Sequence, residues 1–210
     1  EKFLNKVYSQ VGVHDSIFET FQTAMGCDSV VMHRVVVKPD PKTFNYYVKT
    51  KKAGKGDGSN WENAMDGDDF ETYLPLAPDG ATFYVAAGTY KPSSGTYNTS
   101  ASDISIIGGF PADINIGADS KPDKYKTIFS ADLKGNDKVS IIRTTDGIDS
   151  VTFANREDNA SVILSMGNAK NTLSKSRLSG LVFEGATGIA VSLSGDYTVD
   201  HCEFKYNKDG

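Results

Sequence analysis

The sequence predicts an all-β fold in which short strands are stacked as repeats, with one short helix near residue 70. From residue 81 onward, runs of β-branched and aromatic residues alternate with turns, and no long helical period intervenes. Within residues 79–111, Tyr84-Val85-Ala86-Ala87 overlays Ile106-Ile107-Gly108-Gly109 at a step of 22 residues. A second step of 22 reaches Ile128-Phe129-Ser130-Ala131, and "LSGLVFE" overlays "VDHCEFK" at 21 residues. Fixed steps of this size are typical of stacked repeats.

A coil of parallel strands explains such steps physically. Each turn of the coil, here called a rung, would add one strand to each of several parallel sheets, with the next rung about 4.8 Å along the axis. Equivalent apolar residues would then stack in columns, and no rung could bury its apolar face alone. A β-sandwich also has many short strands, but it would not keep residue type at steps of 22, 22 and 21 residues.

Residues 1–40 have a different pattern. Two runs rich in β-branched and aromatic residues, 17–23 and 30–37, flank a turn that contains Gly26. Proline at positions 39 and 41 ends the second run. Because an isolated two-stranded hairpin is marginally stable in water, we interpret residues 1–40 as the C-terminal end of a preceding β domain.

Residues 41–80 are predicted to be a linker and capping segment, followed by the stacked strands over residues 81–210. Glycines at 54, 56 and 58 indicate a loop. Asp68 is the predicted N-cap of a short helix that ends at a proline, and its apolar face is expected to contain Phe70, Tyr73 and Leu74.

Composition and charge exclude several classes of function. The formal net charge is −5, from 22 basic and 27 acidic residues, which argues against a nucleic-acid-binding surface. No apolar run approaches the ~18–20 residues of a membrane-spanning helix. The basic cluster at 49, 51, 52 and 55 is interpreted as a solvated connector. Cys27 and Cys202 are predicted to be unpaired.

Four segments resemble the N-terminal part of a family of bacterial right-handed parallel β-helix proteins, pectate-lyase-like solenoids that are secreted or anchored at the surface. These segments are "GKGDGSNWENA", "GATFYVAAGTYKP", "ISIIGGFPADI" and "KTIFSADLKGND". The resemblance covers residues 46–135 well and 160–210 moderately. Separately, "GCDSVVMHRVVV" is similar to the last hairpin of an Ig-like repeat of bacterial surface proteins.

The two resemblances imply a right-handed parallel β-helix with a short N-terminal capping helix, preceded by a partial Ig-like β hairpin. They also imply a piece of a larger multidomain protein, located outside the cell or on the bacterial outer surface. By the resemblance, four residues would cover the N-terminal end of the solenoid: Trp61, Phe70, Tyr73 and Leu74. The last strand, in "FKYNKDG", would be covered by further rungs or by a partner.

No catalytic set and no cofactor motif is visible in the sequence. Asp66, Asp68 and Asp69 are the best metal candidates, but carboxylates at a helix start stabilise its N–H groups without any metal. We therefore expect no metal there. A late charged group is interpreted as an ordinary exposed strand face: Asp196, Asp200, Glu203 and Lys205. The three histidines are too scattered for a zinc site, and Cys202 is expected to face the core.

The expected function is a non-enzymatic, adhesin-like module that presents a β-helix face to a polysaccharide or a host surface protein. One alternative is a carbohydrate-active enzyme, a polysaccharide lyase or glycoside hydrolase whose catalytic rungs lie beyond residue 210. Lyase chemistry would need an acidic calcium cluster and a base, and hydrolysis would need two facing carboxylates. The other alternative is a structural spacer without a ligand.

Overall fold

The computed structural model describes residues 2–3, 6–7, 12–22, 28–37, 44–93, 95–143, 149–169 and 176–208. In these residues the chain is rich in β structure, its larger sheets are parallel, and it has one short α-helix. The all-β expectation is confirmed at that level. The first strands are β1 (Lys2–Phe3), β2 (Lys6–Val7), β3 (Gly12–Gln22), β4 (Asp28–Val37), β5 (Asn45–Val48), β6 (Thr82–Ala86), β7 (Gly88–Tyr90), β8 (Tyr97–Thr99) and β9 (Ser105–Phe110). The later strands are β10 (Thr127–Ser130), β11 (Lys138–Arg143), β12 (Asp149–Ala154), β13 (Leu164–Ala169), β14 (Arg177–Ser179), β15 (Leu181–Glu184), β16 (Val191–Gly195), β17 (Thr198–Asp200) and β18 (Glu203–Lys205).

Three parallel sheets hold most of these strands. Sheet A has the order β17-β14-β9-β6-β5, sheet B the order β18-β15-β10-β7, and sheet C the order β16-β13-β8. From β6 to β18 the chain visits sheets A, B and C repeatedly in this cyclic order. The antiparallel pair β11–β12 interrupts the cycle once, between β10 and β13. Strands adjacent in a sheet are therefore distant in sequence.

The register corrects the repeat predicted from the first strands. Phe83 pairs with Ile106, so β9 follows β6 at a step of 23, one residue away from the predicted overlay. The second predicted step is wrong, because β10 lies in sheet B between β7 and β15 and does not stack on β9. The shorter step predicted near the C-terminal end is confirmed, since Leu178 pairs with Val199 and Phe183 with Phe204.

The chain turns from sheet A to sheet B within segments that the sequence pattern had merged into single strands. The sequence pattern predicts one strand over residues 178–184, but the structure divides it at Gly180, whose φ is +68°. The pattern likewise predicts one strand over residues 198–204, which is divided at His201, with a positive φ of +50°. The inward-facing residues change step at such a corner, since Leu178, Leu181 and Phe183 all lie in the main core and three positions separate the first two. Both halves are rich in apolar residues, so composition alone does not locate the corner.

The core is built from columns of side chains contributed by successive strands. Phe83, Ile106 and Leu178 are fully buried and occupy paired positions on neighbouring strands of sheet A. In sheet B, the rings of Phe129 and Phe183 have centroids 5.7 Å apart, those of Phe183 and Phe204 are 5.4 Å apart, and both pairs are inclined by 19°. We call Phe129, Phe183 and Phe204 the phenylalanine column.

Helix α1 (Gly67–Tyr73) starts two residues earlier than predicted. Asp66 is its N-cap, because its Oδ1 accepts a hydrogen bond of 2.9 Å from the backbone N–H of Asp69. The predicted cap, Asp68, lies in the first turn instead. The predicted apolar face is confirmed, since the side chains of Phe70, Tyr73 and Leu74 are at most 1% exposed.

The predicted linker over 41–80 contains a strand that the sequence pattern did not reveal. Strand β5 pairs with β6 and forms one edge of sheet A. The solvated interpretation of the basic cluster is wrong for Lys49, which is 8% exposed and donates from Nζ to Oδ1 of Asn115 at 3.2 Å. Lys52 is exposed, as interpreted, and its Nζ lies 2.6 Å from Oδ2 of Asp69.

Strands β3 and β4 form an antiparallel hairpin, as predicted for the N-terminal segment. The pairing runs from Gly12 with Val37 to Gln22 with Asp28. The turn between the strands, including Cys27, lies outside the described residues.

Candidate ligand-binding groove

The outer face of sheet A carries one continuous row of side chains across all five strands. Backbone pairing aligns Tyr47, Tyr84, Ile107, Ser179 and Asp200 in that order. Side chains alternate along a strand, so these residues lie opposite the inward-facing positions of the core. We call them the outer row. Along this row the side chains change from aromatic at the two tyrosines, through aliphatic at Ile107, to polar at Ser179 and Asp200. The row spans about 19 Å, because neighbouring strands lie about 4.8 Å apart.

The aromatic end of the outer row packs against Trp61. The Tyr47 and Tyr84 rings are stacked at 5.2 Å and 22°, and the Trp61 ring lies 4.9 Å from Tyr47 and 5.2 Å from Phe110. Trp61 is 4% exposed and belongs to a small cluster on the outer face of sheet A, which includes Ala86 and Phe110.

The four residues predicted to cap the fold are therefore found in two places. Trp61 lies in the outer cluster, whereas Phe70, Tyr73 and Leu74 pack into the main core. The Phe70 ring lies 5.1 Å from Phe83, and the Tyr73 ring 5.0 Å from Tyr46.

A groove of about 210 Å³ lies beside the middle of the outer row. It is lined by Ile107, Ser120, Pro122, Arg177, Ser179 and His201. One wall comes from the 111–126 segment between β9 and β10, which closes onto β9 through the hydrogen bond from Ser120 Oγ to the carbonyl oxygen of Gly108, at 2.7 Å.

Gly109 permits this close approach of the wall. Its φ is +85°, and a Cβ atom at this position would lie 2.6 Å from Ser120 Oγ. A glycine meets both requirements, because it tolerates the left-handed region and has no side chain.

The polar end of the groove is organised by an ion pair between neighbouring strands. The Arg177 guanidinium donates from Nε to Oδ1 of Asp200 at 3.0 Å and from Nη2 to Oδ2, a bidentate arrangement. His201 Nδ1 lies 3.6 Å from the same Oδ2. The hydrogen bond from Arg177 lowers the pKa of Asp200 to about 2, and the same bond raises the pKa of Arg177.

A second ion-pair group lies on β18. Glu203 accepts from Nζ of Lys126 and is 2.5 Å from Nζ of Lys205, and these two bonds, in that order, lower the pKa of Glu203 to about 2. Asp200, Glu203 and Lys205, which the sequence grouped with Asp196, are thus engaged in ion pairs. Asp196 lies in the turn between β16 and β17.

Two of the three predicted metal candidates have structural contacts, whereas Asp68 is exposed in the first turn of helix α1. Asp66 caps helix α1, and Asp69 is 9% exposed and paired with Lys52. Across the described ranges, no group of three or more His, Cys, Asp or Glu side chains is placed to hold a metal ion. Cys202 packs against the main core with Sγ 3.5 Å from the carbonyl oxygen of Leu178, and its burial raises the pKa of the thiol.

The groove contains groups that can hold a ligand. Arg177 holds its proton more firmly than usual, which is unfavourable for a general base. The lining combines the apolar side chains of Ile107 and Pro122 with hydroxyl, imidazole and guanidinium groups. A few polar groups placed beside apolar ones are typical of sites for small ligands.

The comparison with models of known protein families finds no match, and neither do the comparisons with curated proteins and with solved structures. In the part of the chain that the structure describes, no helix has the length and apolar character needed to cross a bilayer.

Sequence reasoning named Asp200 but missed the groove beside it. Ile107, Ser120, Arg177 and His201 are widely separated along the chain, and the loop that brings Ser120 onto β9 has no sequence signature. The available signal was the alternation within each strand, which places Ile107 and Ser179 on the face opposite Ile106 and Leu178.

Proposed function

We propose that the chain is a recognition module of a secreted or cell-surface bacterial protein, and that it binds a glycan in the groove on the outer face of sheet A. The observation that carries this proposal is the composition of the groove. Ile107 and Pro122 offer an apolar surface of the kind that packs against the C–H face of a sugar ring. Arg177, Asp200 and Ser179 offer donors and acceptors for its hydroxyl groups.

We also propose that residues 44–208 form a right-handed parallel β-helix, preceded by the last hairpin of an Ig-like repeat. Support comes from the parallel pairing in three sheets and from their cyclic order along the chain. Crossovers between parallel strands are overwhelmingly right-handed, which favours that hand. The sequence resemblance over residues 46–135 points in the same direction.

Apolar side chains are exposed on the last strand of two of the sheets. This exposure supports the proposal that a partner or further rungs cover that end. Strands β16, β17 and β18 are edge strands of their sheets. Val199 and Phe204 are 43% and 47% exposed, although their counterparts one strand earlier, Leu178 and Phe183, are fully buried. A following strand would bury both side chains.

Binding is favoured over catalysis at the groove for a physical reason. A lyase would need a base that releases its own proton readily, whereas the ion pair with Asp200 raises the pKa of Arg177. Hydrolysis would need two carboxylates across the scissile bond, whereas the six lining residues contribute none and the neighbouring Asp200 is already bound to Arg177. An enzyme with catalytic rungs beyond residue 210 would use a different surface.

The test is to titrate the chain with a panel of neutral and acidic polysaccharides while following both binding and chain cleavage. Arg177→Ala should weaken binding by about tenfold or more, since a hydrogen bond from a charged donor is worth roughly 1.5–3 kcal/mol. Lys134→Ala is the matched control, because Lys134 has a 71% exposed side chain and does not line the groove. Cleavage of a polymer would instead support the enzyme, and absence of both activities would support a spacer.

A further inference from the structure

We infer that the groove selects neutral, hydroxyl-rich glycans over polyanionic ones such as polyuronates, because its cation is already neutralised by a carboxylate of the protein. This inference rests on the proposed function and specifies its ligand class. The carrying observation is the bidentate pair between Arg177 and Asp200 at the end of the groove. The alternative ligand, an acidic polysaccharide, would need an unneutralised positive charge.

The charges around the groove cancel locally. Arg177 is matched by Asp200 on the neighbouring strand. On β18, Glu203 binds the ammonium groups of both Lys126 and Lys205, and Glu184 supplies a second carboxylate near Lys205, so these two positive charges face two negative ones. An anionic ligand would therefore meet Asp200 at close range while gaining no unpaired cation.

The wall segment adds no net charge either. Its "DSKPDKY" stretch, residues 119–125, contains two aspartates and two lysines. Its two groove-lining residues, Ser120 and Pro122, are both uncharged. A carboxylate entering this groove would lose its hydration without a compensating ion pair, which is unfavourable.

A sugar hydroxyl matches the same groups well. It donates one hydrogen bond and accepts others, so it can accept from the guanidinium of Arg177 while donating to the carboxylate of Asp200. Only two of the N–H groups of Arg177 are engaged with Asp200, which leaves further donors for a ligand. The Ser179 hydroxyl lies next to Asp200 in the outer row and donates a hydrogen bond to that carboxylate, which leaves its oxygen as an acceptor for a ligand.

The experiment compares a matched pair of polymers, a neutral galactan and polygalacturonate, by titration calorimetry at about 50 mM and about 500 mM salt, which span strong and weak charge screening. The neutral polymer is expected to bind about tenfold more tightly, a difference of about 1.4 kcal/mol. Its Kd should change less than about twofold between the two salt concentrations, because no net charge is neutralised on binding.

Asp200→Asn tests the same idea on the protein. It leaves Arg177 unneutralised, so binding of polygalacturonate should increase by about tenfold and become sensitive to salt. The matched control is Asp158→Asn, which alters a different ion pair, the one with Lys134 at 3.5 Å, away from the groove residues. Circular dichroism establishes that each variant is folded, and the salt series on the unaltered chain stands independently of both variants.

The outcomes separate the inference from the proposed function. Tight, salt-sensitive binding of polygalacturonate by the unaltered chain would overturn the inference and leave glycan binding intact. Absence of binding to every neutral and acidic polymer in the panel would overturn the proposed function itself. Preferential, salt-insensitive binding of the neutral polymer supports both.

Discussion

Replacement of Phe183 by alanine removes the middle ring of the phenylalanine column. Phe183 is fully buried and contacts a ring on each side, at 5.7 Å and 5.4 Å. A buried Phe→Ala substitution costs about 3–5 kcal/mol, because the lost transfer free energy adds to the cost of the cavity. For a domain of this size, that corresponds to a fall in Tm of roughly 6–20 °C.

Phe204→Ala is the matched comparison at the end of the same column. Phe204 is 47% exposed and contacts one ring of the column, Phe183. About half of its apolar surface is therefore already in water, and the substitution should cost only about 1–2 kcal/mol. The order of the two losses is a direct consequence of the order of the strands in sheet B.

Urea denaturation followed by far-UV circular dichroism measures both losses. The fluorescence of Trp61, the single tryptophan, provides a second probe in the outer aromatic cluster. Coincident transitions from the two probes would justify a two-state free energy of unfolding. Equal losses for Phe204→Ala and Phe183→Ala, or a loss below about 1 kcal/mol for Phe183→Ala, would refute the proposed burial of the column.

Burial, backbone geometry and charge give three further predictions. Ile106→Asp places a lone carboxylate in the core, so the variant should lose the circular dichroism spectrum of the folded chain at neutral pH. A variant that melts like the unaltered chain would show that residue 106 points outward. Gly108→Ala should lower the free energy of unfolding by more than about 1 kcal/mol, because its Cβ would lie 2.6 Å from a backbone carbonyl oxygen. Gly117→Ala is the control in the same urea assay: no atom lies within 4 Å of its Cβ position, so the change should stay within about 0.5 kcal/mol. The ion-paired carboxylates of Asp200 and Glu203 have a folded pKa of about 2, below the value of about 4 in the unfolded chain, so their stabilisation is present above pH ~4 and is lost as pH falls towards 2. The decline of Tm over this window should be shallower in the Asp200→Asn, Glu203→Gln double variant, and an unchanged slope would argue against these pairs.

Most strands could be predicted from the sequence, but their sheet assignment could not. Alternation of apolar and polar residues correctly predicts that Ile106 faces the core, since a strand repeats every two residues. Burial alternates in the same way along Asn45–Val48, but Tyr46, Tyr47 and Val48 show no alternation of apolar and polar residues in the sequence, and the glycine-rich flanking sequence predicts a linker. The glycine-rich composition of the flanking segment obscured the strand propensity of these three residues.

The apparent repeat that joins Tyr84, Ile106 and Ile128 shows why periodicity alone did not give the register. The long segment after β9 moves Ile128 into a different sheet from Ile106, although both stretches contain similar apolar residues. The later, shorter step is correct because β14 and β17, and likewise β15 and β18, are separated by segments of similar length. The groove depends on the long segment after β9, and its position could not be predicted from spacing.

The hairpin formed by β11 and β12 gives this chain a place where length can change at little cost. It leaves the cyclic order of sheets after β10, and the chain returns to β13 in sheet C. Its two ends are joined by a hydrogen bond of 3.0 Å from Nδ2 of Asn155 to the carbonyl oxygen of Asn136. Because the entry and exit points are adjacent, residues 138–154 could be exchanged for a peptide epitope or a reporter domain while the parallel pairing on either side is kept. The chain thus contains an attachment point for engineered display.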